Sequence, residues 1–306
     1  MSNPVICIGA ALVDELYHAS NPILLATTNE GTVHRSAGGV SRNIAHQLAL
    51  LGVSVQLISV FGSDGEGDWL KTICEYTGIQ LDAAITTSAL TGKYTGILNQ
   101  DGSLFTAFLT NPPLHLITPE HLEKNKLLLQ TASCILADAN VNVETVEWLL
   151  AFSIESGIPF IIEPVSVPPA EKYRNADLEG LYLITPNEDE LPVLCSPTAT
   201  TIQEQVDELL SRGVQNIWLH RGAEGSSFFS KDKSLTLAAP DAIVKDCTGA
   251  GDGSVSGFIL AKYLNKNHEE SLRIAHTLSA EILQVNGAIA THLNQEKLLQ
   301  LVSKYY

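Results

Sequence analysis

Short apolar runs alternate with helix-like segments along most of this chain. Residues 5–10, Cys134–Asp138 and Asn216–His220 are almost continuously apolar, whereas Val143–Ser156 and residues 201–212 have the periodicity of helices. Unbroken apolar strands are typical of parallel sheets that are covered on both faces. Strands that alternate with helices at this spacing form βαβ units. The sequence therefore predicts an α/β fold with a mostly parallel sheet and helices on both of its faces.

The net charge and the cysteine content limit the binding partners and the cellular compartment that we expect for this protein. The 306 residues include 34 acidic and 18 basic side chains, for a net charge of −16. A surface this negative disfavours nucleic acid polymers and anionic membranes as partners. The five cysteines are scattered, without a Cys-x-x-Cys pair, and neither a signal peptide nor a run of 18 apolar residues is visible. We expect reduced thiols and a cytoplasmic protein.

A glycine-rich stretch, Asp-Cys-Thr-Gly-Ala-Gly-Asp at residues 246–252, precedes a helix-like segment and follows residues 243–245, which are predicted to be extended. Backbone N–H groups at a helix start lack intrahelical partners and bind anions, above all phosphate. Gly249 and Gly251 would let the backbone approach such an anion. Asp252 would then accept a proton from a hydroxyl that attacks the phosphate. The alternative is that Asp246 and Asp252 are ordinary turn and cap residues.

Asp14 lies five residues beyond Gly9, where the first strand ends. Ligands of open α/β sheets bind at the carboxyl ends of the strands. Asp14 could therefore contact a ligand or be a solvated loop aspartate, and its position alone leaves both alternatives open.

Asn187 and Glu190 follow another strand, in the sequence Thr-Pro-Asn-Glu-Asp-Glu that starts at Thr185. Mg²⁺ commonly keeps several waters and uses few protein carboxylates when it bridges phosphates. Glu190 would orient a hydrated Mg²⁺ and Asn187 would bind water or phosphate. The alternative is a helix-capping cluster, because acidic residues in a first turn are favourable without any ligand.

Two segments together resemble the motifs of the PfkB/ribokinase family of sugar and nucleoside kinases. The first is Gly-Gly-Val-Ser-Arg-Asn-Ile-Ala at residues 38–45, and the second is residues 246–252. Two motifs in the family's order are more specific than a single glycine loop. The resemblance implies a ribokinase-like, doubly wound, mostly parallel sheet in one domain over residues 1–306. It also implies a small β lid from about residues 15–36 and 91–112 that closes over the sugar.

The resemblance assigns roles residue by residue, with ATP, Mg²⁺ and a monovalent cation such as K⁺ as the implied cofactors. Asp252 is the base, and the anion hole is formed by Gly249, Ala250 and Gly251. The substrate residues are Asp14, Gly38, Gly39, Arg42 and Asn43. The nucleotide residues are Asn187, Arg221, Gly222, Gly225 and Gly287, with Glu190 for Mg²⁺ through water and Asp246 for the monovalent cation. For Arg221, a contact with the phosphates and a surface position both remain open.

Within the family the sequence looks most like the pseudouridine kinases, in residues 38–52, 137–140 and 163–166. It differs from them at Leu12, where they tend to have Asn, and at residues 111–113, Asn-Pro-Pro, which replace a more polar lid segment. The predicted reaction is ATP-dependent phosphorylation of a 5′-type hydroxymethyl group on a nucleoside or ribose-like sugar. Pseudouridine is favoured, and adenosine, ribose and other acceptors remain open.

Two other classes of protein are alternatives to a kinase. A catalytically inactive, ligand-binding regulator of the same fold would not need Asp252 beside an intact glycine loop. A dinucleotide-dependent dehydrogenase would need Gly-x-Gly-x-x-Gly after the first strand, and Gly9 to Asp14 do not supply it. The expected partner is a small sugar or nucleoside. Family members often pair through their lids, which makes a homodimer the expected assembly.

Overall fold

An eight-stranded sheet forms the centre of the protein, whose computed structural model describes residues 3–110 and 112–306. Within these residues the strands are β1 (Val5–Ile8), β2 (Leu12–Ala19), β3 (Gly31–Gly38), β4 (Val55–Ile58), β5 (Val60–Gly62), β6 (Ile85–Thr87), β7 (Lys93–Leu98), β8 (Leu104–Thr110), β9 (Cys134–Asp138), β10 (Phe160–Glu163), β11 (Leu183–Ile184), β12 (Asn216–His220), β13 (Ser226–Ser230) and β14 (Lys233–Leu237). The helices are α1 (Val40–Leu50), α2 (Gly65–Tyr76), α3 (Pro119–Lys124), α4 (Lys126–Leu129), α5 (Val143–Ser156), α6 (Val167–Glu171), α7 (Ile202–Ser211), α8 (Ala250–Tyr263), α9 (His268–Ile282) and α10 (Gln295–Tyr305).

The order of the main sheet is β14-β13-β12-β11-β10-β9-β1-β4. The six strands from β12 to β4 are parallel, and β13 and β14 add an antiparallel hairpin at one edge. The chain passes from β1 to β4 on one side, but from β9 to β12 on the other side. The strand order therefore reverses between β1 and β9, which is where open α/β sheets bind their ligands.

Alternate residues of the buried strands contribute to two apolar cores, one on each face of the sheet. Ile6 and Ile8 of β1 point into the core that is covered by α3, α4, α5, α6 and α7. Val5 and Cys7 point into the core that is covered by α1, α2, α8, α9 and α10. Each fully buried aliphatic side chain of this kind contributes roughly 1.5–3 kcal/mol. This is the doubly wound arrangement that the unbroken apolar strands predict.

A second sheet, with the order β3-β2-β7-β8, lies outside the main sheet. Asp14 on β2 is opposite Ser36 on one side and Tyr94 on the other, so these residues share a face. Asn111 belongs to the predicted lid segment but lies outside the described residues, as do Met1 and Ser2. Within the described ranges, no helix is long and apolar enough to cross a membrane.

Three local predictions differ from the structure. The sequence of residues 53–61 predicts a single strand, but in the structure the strand divides at Ser59, because β5 leaves the main sheet and pairs with β6. Residues 243–245 form no strand; the N–H of Lys245 instead donates to the carbonyl of Leu283 at 2.8 Å. The segment after Asn187 forms turns and a 3-10 helix rather than an α-helix, because Pro192 interrupts it.

Candidate active site

Asp138 ties together the chain segments that meet at the reversal of strand order. It is fully buried at the end of β9, and its Oδ2 accepts hydrogen bonds from the backbone N–H groups of Ala10 (2.7 Å) and Ser41 (3.2 Å). A Cβ on Gly9, where φ is +147°, would lie 2.2 Å from this carboxylate. Only glycine therefore fits there, and the start of α1 is held against the end of β1.

The first turn of α1 presents Asn43 and buries Arg42. Arg42 is 1% exposed, and its guanidinium donates to the carbonyls of Ala37 (2.7 Å) and Gly38 (3.1 Å) and to the side chain of Asn43. Arg42 was expected to contact the substrate. The structure instead places its charged group behind Asn43, where it supports the wall of the site and not its surface.

Asn43 joins this wall to Asp252 in the first turn of α8. The amide nitrogen of Asn43 donates to Oδ2 of Asp252 at 2.7 Å, across 209 residues of sequence. Gly257 allows α8 to pack closely on α9, because a Cβ there would lie 2.6 Å from Cα of Ala275. The two family motifs therefore meet at one carboxylate whose position is fixed on both sides.

The backbone at the start of α8 provides free donors. Within the described part of the chain, the N–H groups of Gly251 and Asp252 have no acceptor, whereas that of Ala250 reaches the carbonyl of Cys247 at 3.3 Å. Gly249 has φ +76°, and a Cβ there would lie 2.4 Å from Ala288. Gly249 is therefore required by its backbone and by packing, and the open space lies beside Gly251. These donors and this space suit an anion at the positive end of the helix.

Burial changes the pKa values of two carboxylates of the candidate site, Asp252 and Asp14. Burial raises the pKa of Asp252 to about 6, although the hydrogen bond from Asn43 and the charge of Arg42 act in the opposite direction. Burial also raises the pKa of Asp14 to about 6, again against the effect of Arg42. A carboxylate with a pKa near neutrality is ionised at physiological pH and still basic enough to accept a proton in a transition state.

Asp14 lies on the inner face of the outlying sheet, directly over Gly38. A Cβ on Gly38 would lie 2.2 Å from Oδ2 of Asp14. Gly39 is also required, since its φ is +97° and a Cβ would lie 2.3 Å from the carbonyl oxygen of Ala10. The two glycines therefore bring the β2 carboxylate and the α1 amide to one place.

These groups open into a cleft of about 710 Å³ between the two sheets. It is lined by Ala10, Leu12, Asp14, Gly39, Val40, Asn43, Tyr94, Leu109, Pro112, Leu114, His115, Asn140, Asn142, Val165, Ser166, Pro168, Pro169 and Lys172. Somewhat more than half of these residues are apolar, and the polar ones include Asp14, Asn43, Asn140, Asn142 and Lys172. That composition is typical of small-molecule sites.

A second cavity, of about 150 Å³, lies on the other side of the α8 N-terminus. Gly222, Gly225, Ala250 and Gly251 line it, together with His220, Ala239, Pro240, Ser254, His276, Ser279, Ala280 and Leu283. The glycine pair expected near the nucleotide thus shares a cavity with the expected anion hole. This cavity shares no lining residue with the cleft that holds Asp14 and Asn43.

Arg221 stands beside this cavity with its charge already paired. Its guanidinium forms ion pairs with Glu188, at 3.3 Å, and with Glu224. Of the two alternatives for Arg221, the structure contains the surface pairing. Exposed pairs of this kind contribute little to stability, so they would not prevent the side chain from turning toward another anion.

Asn187 and Glu190 bond to each other. The N–H of Asn187 donates to Oε2 of Glu190 at 2.9 Å, and Oδ1 of Asn187 accepts from the N–H of Glu190 at 2.9 Å. This reciprocal pattern is the capping alternative that the sequence left open. Burial raises the pKa of Glu190. Among the described residues Oε1 of Glu190 has no hydrogen-bond donor, so it suits a hydrated cation.

No group of three or more metal-ligating side chains occurs in the described portions of the chain. An ion that takes most of its ligands from water and phosphate still fits Glu190, and Mg²⁺ is such an ion.

Asp246 connects the glycine-rich loop at residues 246–252 to a late glycine turn. It accepts hydrogen bonds from the N–H groups of Thr248 and Gly287, both at 2.8 Å. Burial alone would raise the pKa of Asp246, but these two donors hold it below its ordinary value. The carboxylate therefore stays charged between the two loops where a monovalent cation was expected.

Asp138 and Glu163 are two buried carboxylates of the site for which the sequence predicts no role. Glu163 ends β10 beside Asp138, and burial together with the neighbouring charge of Asp252 raises its pKa well above the usual range. Both residues are carboxylates at the last position of an apolar strand. A carboxylate at the carboxyl end of a buried strand is the feature that indicated Asp14, and the same feature indicates Asp138 and Glu163.

The chain is similar to kinases over almost its whole length. The model of the pfkB family of carbohydrate kinases matches residues 3–295. A sugar kinase of Escherichia coli K12, described as the uncharacterized sugar kinase YeiI, is 31% identical over 283 residues, which are 90% of this chain and 77% of that protein. Pseudouridine kinase of the same strain is 28% identical over 304 residues, which are 97% of this chain and 96% of that one.

The fold is also that of solved kinases. The structure of ribokinase from Arabidopsis thaliana, complexed with ribose and ATP, covers 99% of both chains with a TM-score of 0.85 and 24% identity. The predicted fold class, a ribokinase-like, doubly wound, mostly parallel sheet with a small second β-sheet, is confirmed. The predicted enzyme class, a phosphotransferase with an alcohol group as acceptor, is confirmed as well. This chain belongs to the pfkB family of carbohydrate kinases.

Proposed function

We propose that this kinase transfers the γ-phosphoryl group of ATP to a hydroxymethyl group of a nucleoside or ribose-like sugar, with pseudouridine as the favoured acceptor. The observation that carries the proposal is the hydrogen bond from Asn43 to Asp252, which fixes a carboxylate beside free backbone donors at the mouth of a cleft. The carboxylate suits a base, and the donors suit the transferring group.

The residues of this chain act as follows in the proposed reaction. Asp14 and Asn43 hydrogen-bond the sugar hydroxyls, and Asp252 accepts the proton of the attacking hydroxyl. The N–H groups of Gly251 and Asp252 stabilise the charge that develops on the phosphoryl oxygens. Glu190 would orient Mg²⁺ through water, and the bound ion would supply charge neutralisation between the phosphates. The cavity beside Gly222 and Gly225 would hold the nucleoside part of ATP.

Pseudouridine is favoured because the similarity to the pseudouridine kinase of E. coli K12 extends over 97% of this chain. The cleft also extends past Asp14 and Asn43 to a partly apolar end that includes Val165 and Pro168. Leu12 lines the same cleft, so its difference from the pseudouridine kinases falls where the acceptor would bind.

The test is ADP release in the presence of Mg·ATP and K⁺ with pseudouridine, uridine, cytidine, adenosine, inosine, ribose and fructose 6-phosphate. We expect turnover of pseudouridine above the others. D252N should lower kcat by at least about a hundredfold while ATP still binds, as expected for loss of a general base. D207N, on the exposed face of α7, is the charge-matched control. Normal turnover by D252N would contradict the proposal, and preference for another acceptor would change only the substrate.

Assembly and architecture are part of the same proposal. Tyr17, Val33 and Phe108 are 44%, 57% and 67% exposed, on the face of the outlying sheet opposite Asp14. We propose that two copies pair through this sheet, and that it acts as the lid of a single cytoplasmic domain. Sedimentation should show a dimer that F108E dissociates and that T72E, an added charge on α2, leaves intact. A wild-type monomer would rule out the pairing.

A further inference from the structure

Val165 has a backbone conformation that β-branched residues rarely adopt. Its φ is +72°, in the left-handed region, where its Cβ crowds the following carbonyl. Among the residues that the structure describes, the other non-glycine residues with positive φ are Ala26 and Asn265. A backbone held in such a region points to a functional constraint when the surroundings fix it.

The surroundings of Val165 do fix it. The N–H of Val165 donates to the carboxyl group of Glu163 at 2.7 Å, and the N–H of Ser166 donates to the carbonyl of Pro164 at 2.8 Å. Glu163 is itself buried at the end of β10. Helix α6 begins immediately afterwards, with prolines at its second and third positions. The strained turn is therefore held from both ends, and it is not a flexible surface loop.

This turn places Val165 between the core and the cleft. Val165 packs against the apolar core on one side and lines the cleft on the other. Pro168 and Pro169 continue the apolar wall, and Asn140 and Lys172 add polar groups to the same cleft. In the proposed function, Asp14 and Asn43 form the part of the cleft that binds the sugar hydroxyls. The cleft therefore has room for a group beyond the sugar, with one apolar wall and a few hydrogen-bonding groups.

We propose that Val165 is a specificity-determining residue that forms the apolar wall for the planar ring attached to the sugar of a nucleoside. The proposal rests on the proposed function, because it assumes that Asp14 and Asn43 take the sugar. A glycine would relieve the backbone strain but would remove the wall. A free sugar has no ring to place there, so the contact favours a nucleoside over ribose.

Direct binding without ATP tests the proposal, by calorimetric titration of pseudouridine, uridine and ribose. We expect V165G to weaken nucleoside binding by about tenfold or more, the usual effect of removing an apolar pocket contact, and to change ribose binding by less than about twofold. V165A retains the strained backbone and should show a smaller loss in the same direction. N265G, a positive-φ site after α8 that does not line this cleft, should change neither.

Several outcomes would overturn the proposal. Equal losses for nucleosides and ribose would make Val165 a general support of the cleft, and unchanged binding would remove any role. Wild-type protein that binds ribose but neither nucleoside would also rule it out, and so would wild-type protein that binds none of the three probes. Selective loss of nucleoside binding by V165G in a protein without kinase activity would support the inference while refuting the proposed phosphoryl transfer. Thermal unfolding of both variants shows whether the binding losses come from a folded protein.

Discussion

Replacing Asn43 with alanine should move the acid limb of the pH–rate profile to higher pH. The amide of Asn43 donates to the carboxylate of Asp252 at 2.7 Å and so favours its charged form. Without this donor Asp252 holds its proton more tightly. Because a general base must be unprotonated to act, activity should then fall at a higher pH than in the wild type.

The size of the shift follows from the hydrogen bond. A hydrogen bond to a charged group contributes about 1.5–3 kcal/mol, and water entering the space would replace part of it. A net loss of about 1.4 kcal/mol equals about one pKa unit. The pKa of Asp252 would move from about 6 to about 7. At pH 6 the ionised fraction would fall from about one half to about one tenth, whereas at pH 8 the two proteins would differ little.

The measurement is kcat/KM for the acceptor from about pH 5 to about pH 9, at saturating Mg·ATP, because this profile reports groups of the enzyme form to which the acceptor binds. The prediction concerns the pH at the midpoint of the acid limb. The plateau value of kcat/KM does not test it, since loss of Asn43 also weakens acceptor binding. Asn142→Ala is the matched control: this amide lines the same cleft and forms no side-chain hydrogen bond with Asp252. It should leave the midpoint unchanged.

Two results would refute the reasoning. If the midpoint of Asn43→Ala equals that of the wild type, Asp252 does not set the limb. Asp14 is then the candidate, because burial raises its pKa to about 6 too and it has no hydrogen bond from Asn43 within the described chain. If Asn142→Ala shifts the midpoint equally, the effect comes from the polarity of the cleft and not from the contact.

Three further predictions concern other parts of the site and the fold. Gly38→Ala would push a methyl group into the carboxylate of Asp14, so KM for the acceptor should rise by about tenfold or more with KM for ATP unchanged. Glu190→Gln should raise the Mg²⁺ concentration needed for half-maximal ADP release by about tenfold to a hundredfold, as usual for groups that orient a metal's ligands. Ser226→Ala leaves the buried indole and imidazole beside it unpaired and should lower the free energy of unfolding by about 1–3 kcal/mol in denaturant titration, whereas Ser227→Ala should lower it less.

The sequence pattern was sufficient to predict those strands and helices whose structure depends mainly on their own residues. The bounds of the strand Cys134–Asp138 and of the helix Val143–Ser156 could be predicted to the residue. An unbroken short apolar run indicates a buried strand, and a helical period of apolar residues indicates a helix. Residues 53–61 show the limit of this approach. Both halves of that run are buried, so the pattern alone does not indicate that β5 pairs with β6 outside the main sheet.

Strand propensity was misleading at residues 243–245, where no neighbouring strand is available for pairing. Ile243 and Val244 are β-branched, yet they are 75% and 57% exposed and belong to no strand. A preference for strands expresses itself only when a neighbouring strand offers hydrogen bonds. The contacts that build the site are equally invisible locally, since the bond from Ala10 to Asp138 spans 128 residues and the bond from Asn43 to Asp252 spans 209.

The charge of Arg42 offsets part of the desolvation of two carboxylates in the candidate site, Asp14 and Asp252. Asp14 and Asp252 are both desolvated, and the charge of Asp14 raises the pKa of Asp252 further. The guanidinium of Arg42 lies within their field, and backbone carbonyls hold it, so it lowers the pKa of both carboxylates without occupying the cleft. Burial lowers the pKa of Arg42 too, but an arginine in a protein remains protonated. A lysine could not replace it equally well, because a single ammonium group lacks the planar set of donors that reaches two carbonyls and the Asn43 amide together. The resemblance to known kinases predicts that Arg42 contacts the substrate, whereas the buried contacts of its guanidinium favour a different role, holding Asn43 and lowering the pKa of Asp252.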